Sequence, residues 1–155
     1  MSITDELFEA IDHGDVARLR ALLDDDRALA TAVADDGFTA LHLAAWSGRP
    51  RVAEVLLARG ADPEAMAANP TALRPLHSAA AAGNQVIAHL LLDRGADVDA
   101  RQAGGLAPLH TAAHRDDPEM VALLLARGAD PSATTDDGMT AADLATTNSV
   151  HALLP

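Results

Sequence analysis

Histidine is the residue type here best suited to chemistry, and three of the seven occupy one recurring place: His42, His77 and His110. They close the segments Ala40-Leu41-His42, Pro75-Leu76-His77 and Pro108-Leu109-His110, with a degenerate copy at Ala141-Ala142-Asp143. A neutral imidazole can ligate a metal ion or carry a proton near neutral pH. The positions recur at intervals of 35, 33 and 33 residues, which marks a stacked array of units. Stacking would set neighbouring rings about one helix-pair layer apart, on the order of 10 Å, too far to share an ion. His110 and His114 stand four apart and could face one metal from a helix. That pair lacks the glutamate of the zinc-protease helix motif, and no third ligand stands nearby. His13, His89 and His151 occur singly and read as solvated or partly buried rings.

Other chemistry is poorly provided for. Cysteine is absent, which removes thiol nucleophiles, disulfides and thiolate metal sites. Gly104-Gly105 lies in a turn and not at a strand-to-helix phosphate loop. None of the serines or threonines has a recognisable Ser–His–acid setting. The acidic pairs Asp35-Asp36, Asp116-Asp117 and Asp136-Asp137 recur at turns, where aspartate bonds its own backbone. The expectation is a chain with no catalytic residues, no bound metal and no cofactor.

Composition narrows the class further. The formal charge is −12, and all eleven basic residues are arginine. So little cation density disfavours nucleic acid and anionic lipid, and it favours a basic surface on any partner. Apolar residues make up 49% of the chain but aromatics only 2%, which suits thin, closely packed helix pairs. Lysine avoidance beside abundant Ala, Arg, Gly and Asp is consistent with GC-rich coding and suggests a bacterial source. The acidic N-terminus Met1-Ser2-Ile3-Thr4-Asp5-Glu6 leads directly into an amphipathic pattern, so a cytoplasmic setting is expected.

The elements that position these residues follow from capping and spacing. Thr39 caps a helix over residues 40–47 that stops at Gly48. Pro50 opens a second helix, where its missing N–H costs nothing, and Val52, Val55, Leu56 and Leu57 form its apolar face. Gly60 then allows a left-handed turn into Ala61-Asp62-Pro63 and a projecting loop. The pattern repeats with Gly83, the stretch from Val86 to Leu92 and Gly95, then with Pro118, Met120 to Leu125 and Gly128. Neither helix of a unit can bury its face alone: Leu56 and Leu57 need Leu91 and Leu92, which need Leu124 and Leu125. The end units differ. The first has Phe8 where the histidine belongs, and the last is cut short at Leu154-Pro155.

These motifs resemble the ankyrin repeat over essentially the whole chain. The carriers are Asp36-Gly37-Phe38-Thr39-Ala40-Leu41-His42-Leu43-Ala44-Ala45, Arg74-Pro75-Leu76-His77-Ser78-Ala79-Ala80 and Ala107-Pro108-Leu109-His110-Thr111-Ala112-Ala113. Each is followed by a leucine run and Gly-Ala-Asp. The resemblance implies an all-α ankyrin-repeat solenoid of stacked helix-turn-helix units with projecting β-hairpin-like loops. It would form one domain over residues 1–155. Residues 1–35 cap the start, 36–68, 69–100 and 101–133 are internal repeats, and 134–155 form a truncated end cap. It also implies that each repeated histidine bonds backbone and orients the adjoining loop. Arg74 and Ala107 replace the usual capping threonine, so those helix starts should be less well tied. Asn69-Pro70-Thr71-Ala72 lacks the Asp-Gly turn and carries two extra residues, and Asp116 replaces a corner glycine.

The resemblance further implies binding of another protein through a concave face made of hairpin tips and first helices. The residue after the hairpin glycine position, which Ala72 fills in one unit, is Phe38, Leu73, Leu106 and Met139 in successive units, one ladder of large apolar groups. Trp46 and Ser47 end the first helix of their unit, where His114 and Arg115 stand two units later. Asp35, Asp36, Asp136 and Asp137 would form an acidic rim. The competing reading of the ladder is that adjacent hairpins shield these groups from each other. A monomeric adaptor or regulator is expected. The alternatives are a metal-binding protein or enzyme using His110 and His114, and a scaffold with no dedicated ligand.

Overall fold

The computed structural model describes all 155 residues, and helices dominate it. They run in pairs: α1 (Ile3–His13) with α2 (Val16–Asp25), α3 (Ala40–Ser47) with α4 (Pro50–Ala58), and α5 (Pro75–Ala82) with α6 (Gln85–Asp93). The series continues with α7 (Pro108–His114) and α8 (Pro118–Ala126), then ends on the short α9 (Ala141–Leu144) and α10 (Asn148–His151). First helices pack on first helices, α1 on α3, α3 on α5, α5 on α7 and α7 on α9. Second helices stack in the same order behind them. No helix is long and apolar enough to cross a membrane.

Local sequence explains the boundaries. Thr39 precedes α3 in extended backbone and its hydroxyl accepts the His42 N–H, while Gly48 ends the helix at φ 65°. Proline opens α4, α5, α7 and α8. The starts at Arg74 and Ala107 lack a side-chain acceptor, as their sequence foretells. They keep the other half of the clamp: His77 Nδ1 accepts the Arg74 N–H and His110 Nδ1 accepts the Ala107 N–H, each at 3.0 Å. The tie lost is the hydroxyl alone. A 3-10 turn over Arg27–Thr31, capped by Asp26, fills the place where the first unit lacks Gly-Ala-Asp.

One hydrophobic core runs the length of the stack from Leu7 to Leu154. Leu41, Leu76 and Leu109 form one buried column, and Leu19, Leu56, Leu91 and Leu124 form a second. In the leucine pairs the first member is fully buried, whereas Leu92 and Leu125 lie at the margin of the core. Each layer thus covers the next, and stability is shared between neighbours.

The loops between pairs fold as tight hairpins, with Ala34, Ala67, Gln102 and Thr135 donating across to Phe38, Leu73, Leu106 and Met139. Adjacent hairpins are joined edge to edge: Ala68 N–H bonds Gly37 O, Ala103 N–H bonds Thr71 O and Asp136 N–H bonds Gly104 O, at 2.7 to 2.9 Å. Gly37 is required by this approach, because a Cβ there would lie 2.6 Å from the Ala68 oxygen. The equivalent residue one unit later is Ala72, which adopts the left-handed φ of 51° that glycine normally takes.

Candidate functional site: an aromatic cleft on the hairpin side

The repeated histidines fix the loops. His42 Nδ1 accepts the Thr39 N–H, so the proton sits on Nε2, which donates to Leu73 O at 2.9 Å. His77 Nε2 donates to Ala100 O and Leu106 O at 2.9 and 3.2 Å, and His110 Nε2 donates to Ala133 O at 2.9 Å. Each ring therefore ties its own helix start to the hairpin of the following unit. Burial pushes the His42 pKa below its ordinary value. It lowers His77 to about 4, outweighing the bonds to Ala100 and Leu106. Both ring nitrogens of His110 are engaged by backbone, and the exposed His114 has no cluster of ligating groups around it. An ion between His110 and His114 would have to break the loop clamp first.

Clamping of these loops creates a cleft of about 420 Å³ between hairpins and first helices. From the hairpins come Ala34, Asp36, Phe38 and Leu73, and from the helices Phe8, His42, Leu43, Trp46 and Ser78. The chain has two phenylalanines, one tryptophan and no tyrosine, and all three of these side chains line this one cavity. Phe38 is placed by an Asx turn in which Asp36 Oδ1 accepts its N–H at 3.0 Å, and its ring stacks obliquely on His42 at 5.5 Å. Trp46 stands 59% exposed near the end of α3. Its indole therefore leaves apolar surface uncovered beside the other apolar walls of the cleft.

Of the residues expected to meet a partner, Asp36, Phe38, Trp46 and Leu73 come together in the cleft. Asp35 is exposed beside it, and Ser47 is half-buried at the end of α3. Leu106 and Met139 continue the ladder away from the cleft, the first half-buried and the second 37% exposed. His114 and Arg115 are exposed at the end of α7, and Asp136 and Asp137 at the last hairpin tip. The ladder therefore divides: its first two rungs wall a cavity and the later two do not. Sequence reasoning missed Phe8, Leu43 and Ser78. The sequence offers only their register, Phe8 at the histidine position of the first unit and Leu43 and Ser78 each after their histidine, and register alone does not mark a cavity.

Models of ankyrin repeats match residues 36–68 and 74–103, and a model of many ankyrin copies matches 91–145. A protein of Oryza sativa subsp. japonica named a probable E3 ubiquitin-protein ligase XBOS31 is 48% identical over 67 residues. That stretch is 41% of this chain and 15% of the rice protein, so the chain spans a small part of that relative. The paired helices, linked hairpins and histidine clamps recur in phase, and the matched segments cover more than half of the sequence. The chain belongs to the ankyrin-repeat family.

Proposed function

We propose that this chain is a non-catalytic protein-binding module, an adaptor or regulator whose partner docks on the concave face at the aromatic cleft. Ankyrin repeats in general bind other proteins. The observation that carries the finer reading is the convergence of Phe8, Phe38 and Trp46 on one cavity in a chain with no other aromatic residue. Aromatic anchors in desolvated pockets supply a disproportionate share of binding energy. The remaining ladder, with Leu106 and Met139, would extend the contact, and Asp35, Asp36, Asp136 and Asp137 would steer a basic partner surface. A monomer acting in the cytoplasm completes this reading, with residues 1–35 and 134–155 as caps on three internal repeats.

Capture from native extract with wild type and a Phe38→Ala, Trp46→Ala variant, run side by side, tests it. The expected result is a partner retained by wild type and lost by the variant. Equal recovery by both would reject the cleft as the docking site. The metal-binding alternative meets the engaged nitrogens of His110, and stoichiometric zinc in the purified protein would reverse that judgement.

A further inference from the structure

Ser78 follows His77 on α5 and is only 4% exposed, yet it lines the cleft. Its backbone N–H is spent on Arg74 O, and its hydroxyl has no hydrogen-bond partner within the chain. A polar group held that deep among apolar walls needs a partner once water is displaced. An aliphatic occupant would leave it unpaired and be penalised. An aromatic body with a polar tip satisfies both demands, resting its ring on Phe8, Phe38 and Trp46 and bonding the hydroxyl at depth.

The mouth adds a second constraint. Asp36 lines it, Asp35 is exposed beside it, and the whole chain carries −12. The arginines closest in sequence to the cleft residues are committed elsewhere. Arg49 donates to Asp12 O at 2.7 Å; Arg74 donates to Arg101 O at 3.2 Å and pairs with Glu64 at 3.3 Å. We propose that the cleft receives a tyrosine from a basic segment of a partner protein. Its phenol meets Ser78, and flanking arginine or lysine meets Asp35 and Asp36. This rests on the concave-face reading above and names the chemistry of its partner. A second copy of the chain does not match this occupant, because it has no tyrosine and carries the same negative charge.

Trp46 is the sole tryptophan, so its emission, excited beyond the tyrosine band, reports the cleft directly. The probes are three short synthetic peptides: one tyrosine flanked by arginine pairs, its phenylalanine twin, and its glutamate-flanked twin. The inference expects saturable change with the first, at least tenfold weaker binding of the second, and no measurable binding of the third. Ser78→Ala should bind the tyrosine and phenylalanine peptides within twofold of each other. Equal affinity of those two for wild type overturns the inference without recourse to any variant. So does a tyrosine preference that survives in Ser78→Ala, or absence of saturation with every peptide. Should the tyrosine preference fail while Phe38→Ala, Trp46→Ala still loses its captured partner, this inference falls and the concave-face reading stands.

Discussion

Ala72 holds a backbone conformation that alanine resists. It occupies the hairpin position filled by Gly37 and Gly105 in flanking units, at φ 51°. A left-handed conformation costs an L-residue roughly 1–2 kcal/mol, offset in part by the greater freedom glycine has when unfolded. Ala72→Gly is therefore expected to stabilise the protein by about 0.5–1 kcal/mol, seen as a higher denaturant midpoint at unchanged slope. The buried His77 predicts a pH response of definite sign. Folded His77 stays neutral down to about 4, whereas an unfolded ring takes up its proton near 6.5. Between those values the unfolded state binds more protons at this residue, so stability falls as pH drops, by on the order of 1 kcal/mol per unit. Burial lowers His42 as well, and its contribution has the same sign. Denaturation midpoints measured from pH 7 to pH 4.5 should fall steadily, and the fall should be shallower in His77→Gln.

Helices and corners were the part most open to reading from the sequence. The span Ala40–Ser47 follows from Thr39 before it and Gly48 after it, and proline marks the starts of four other helices. The corner at Asp116 was legible as a departure, and the structure shows how it is accommodated. Asp116 takes a φ of 51°, and its carboxylate accepts the N–H groups of Thr146 and Thr147 at 2.9 and 2.8 Å and the Thr146 hydroxyl. Those bonds, from Thr146 first, hold its pKa down at about 2. A glycine there would relieve the backbone but release the start of α10. Asp116→Ala should thus speed amide hydrogen exchange at Thr146, Thr147 and α10 while leaving α3 to α6 protected. Full protection of α10 in the variant would refute that role. Less legible were the elements whose residues act only in company. Phe8 reads as a degenerate histidine, and Ser78 as one more small helix residue. Only the packing of α1, α3 and α5 beside two hairpins gives both a shared cavity.

At the scale of the molecule, the stack converts repetition into a surface. Each buried leucine column holds its neighbours, each histidine holds the next hairpin, and the hairpins join edge to edge. Layers tied in this way hold the backbone between hairpin and first helix in place, which lowers the ordering cost a partner must meet. The apolar ladder was visible in the sequence because it recurs at one position per unit. Its division into a cleft and an open stretch was not, because that depends on the aromatic rings, which do not repeat. Titration calorimetry of the captured partner against wild type and the Phe38→Ala, Trp46→Ala variant measures the central claim most directly. Two anchor losses of about 2 kcal/mol each, about 4 kcal/mol in sum, predict at least a hundredfold weaker Kd with the fold intact. A Kd unchanged within twofold would contradict the account.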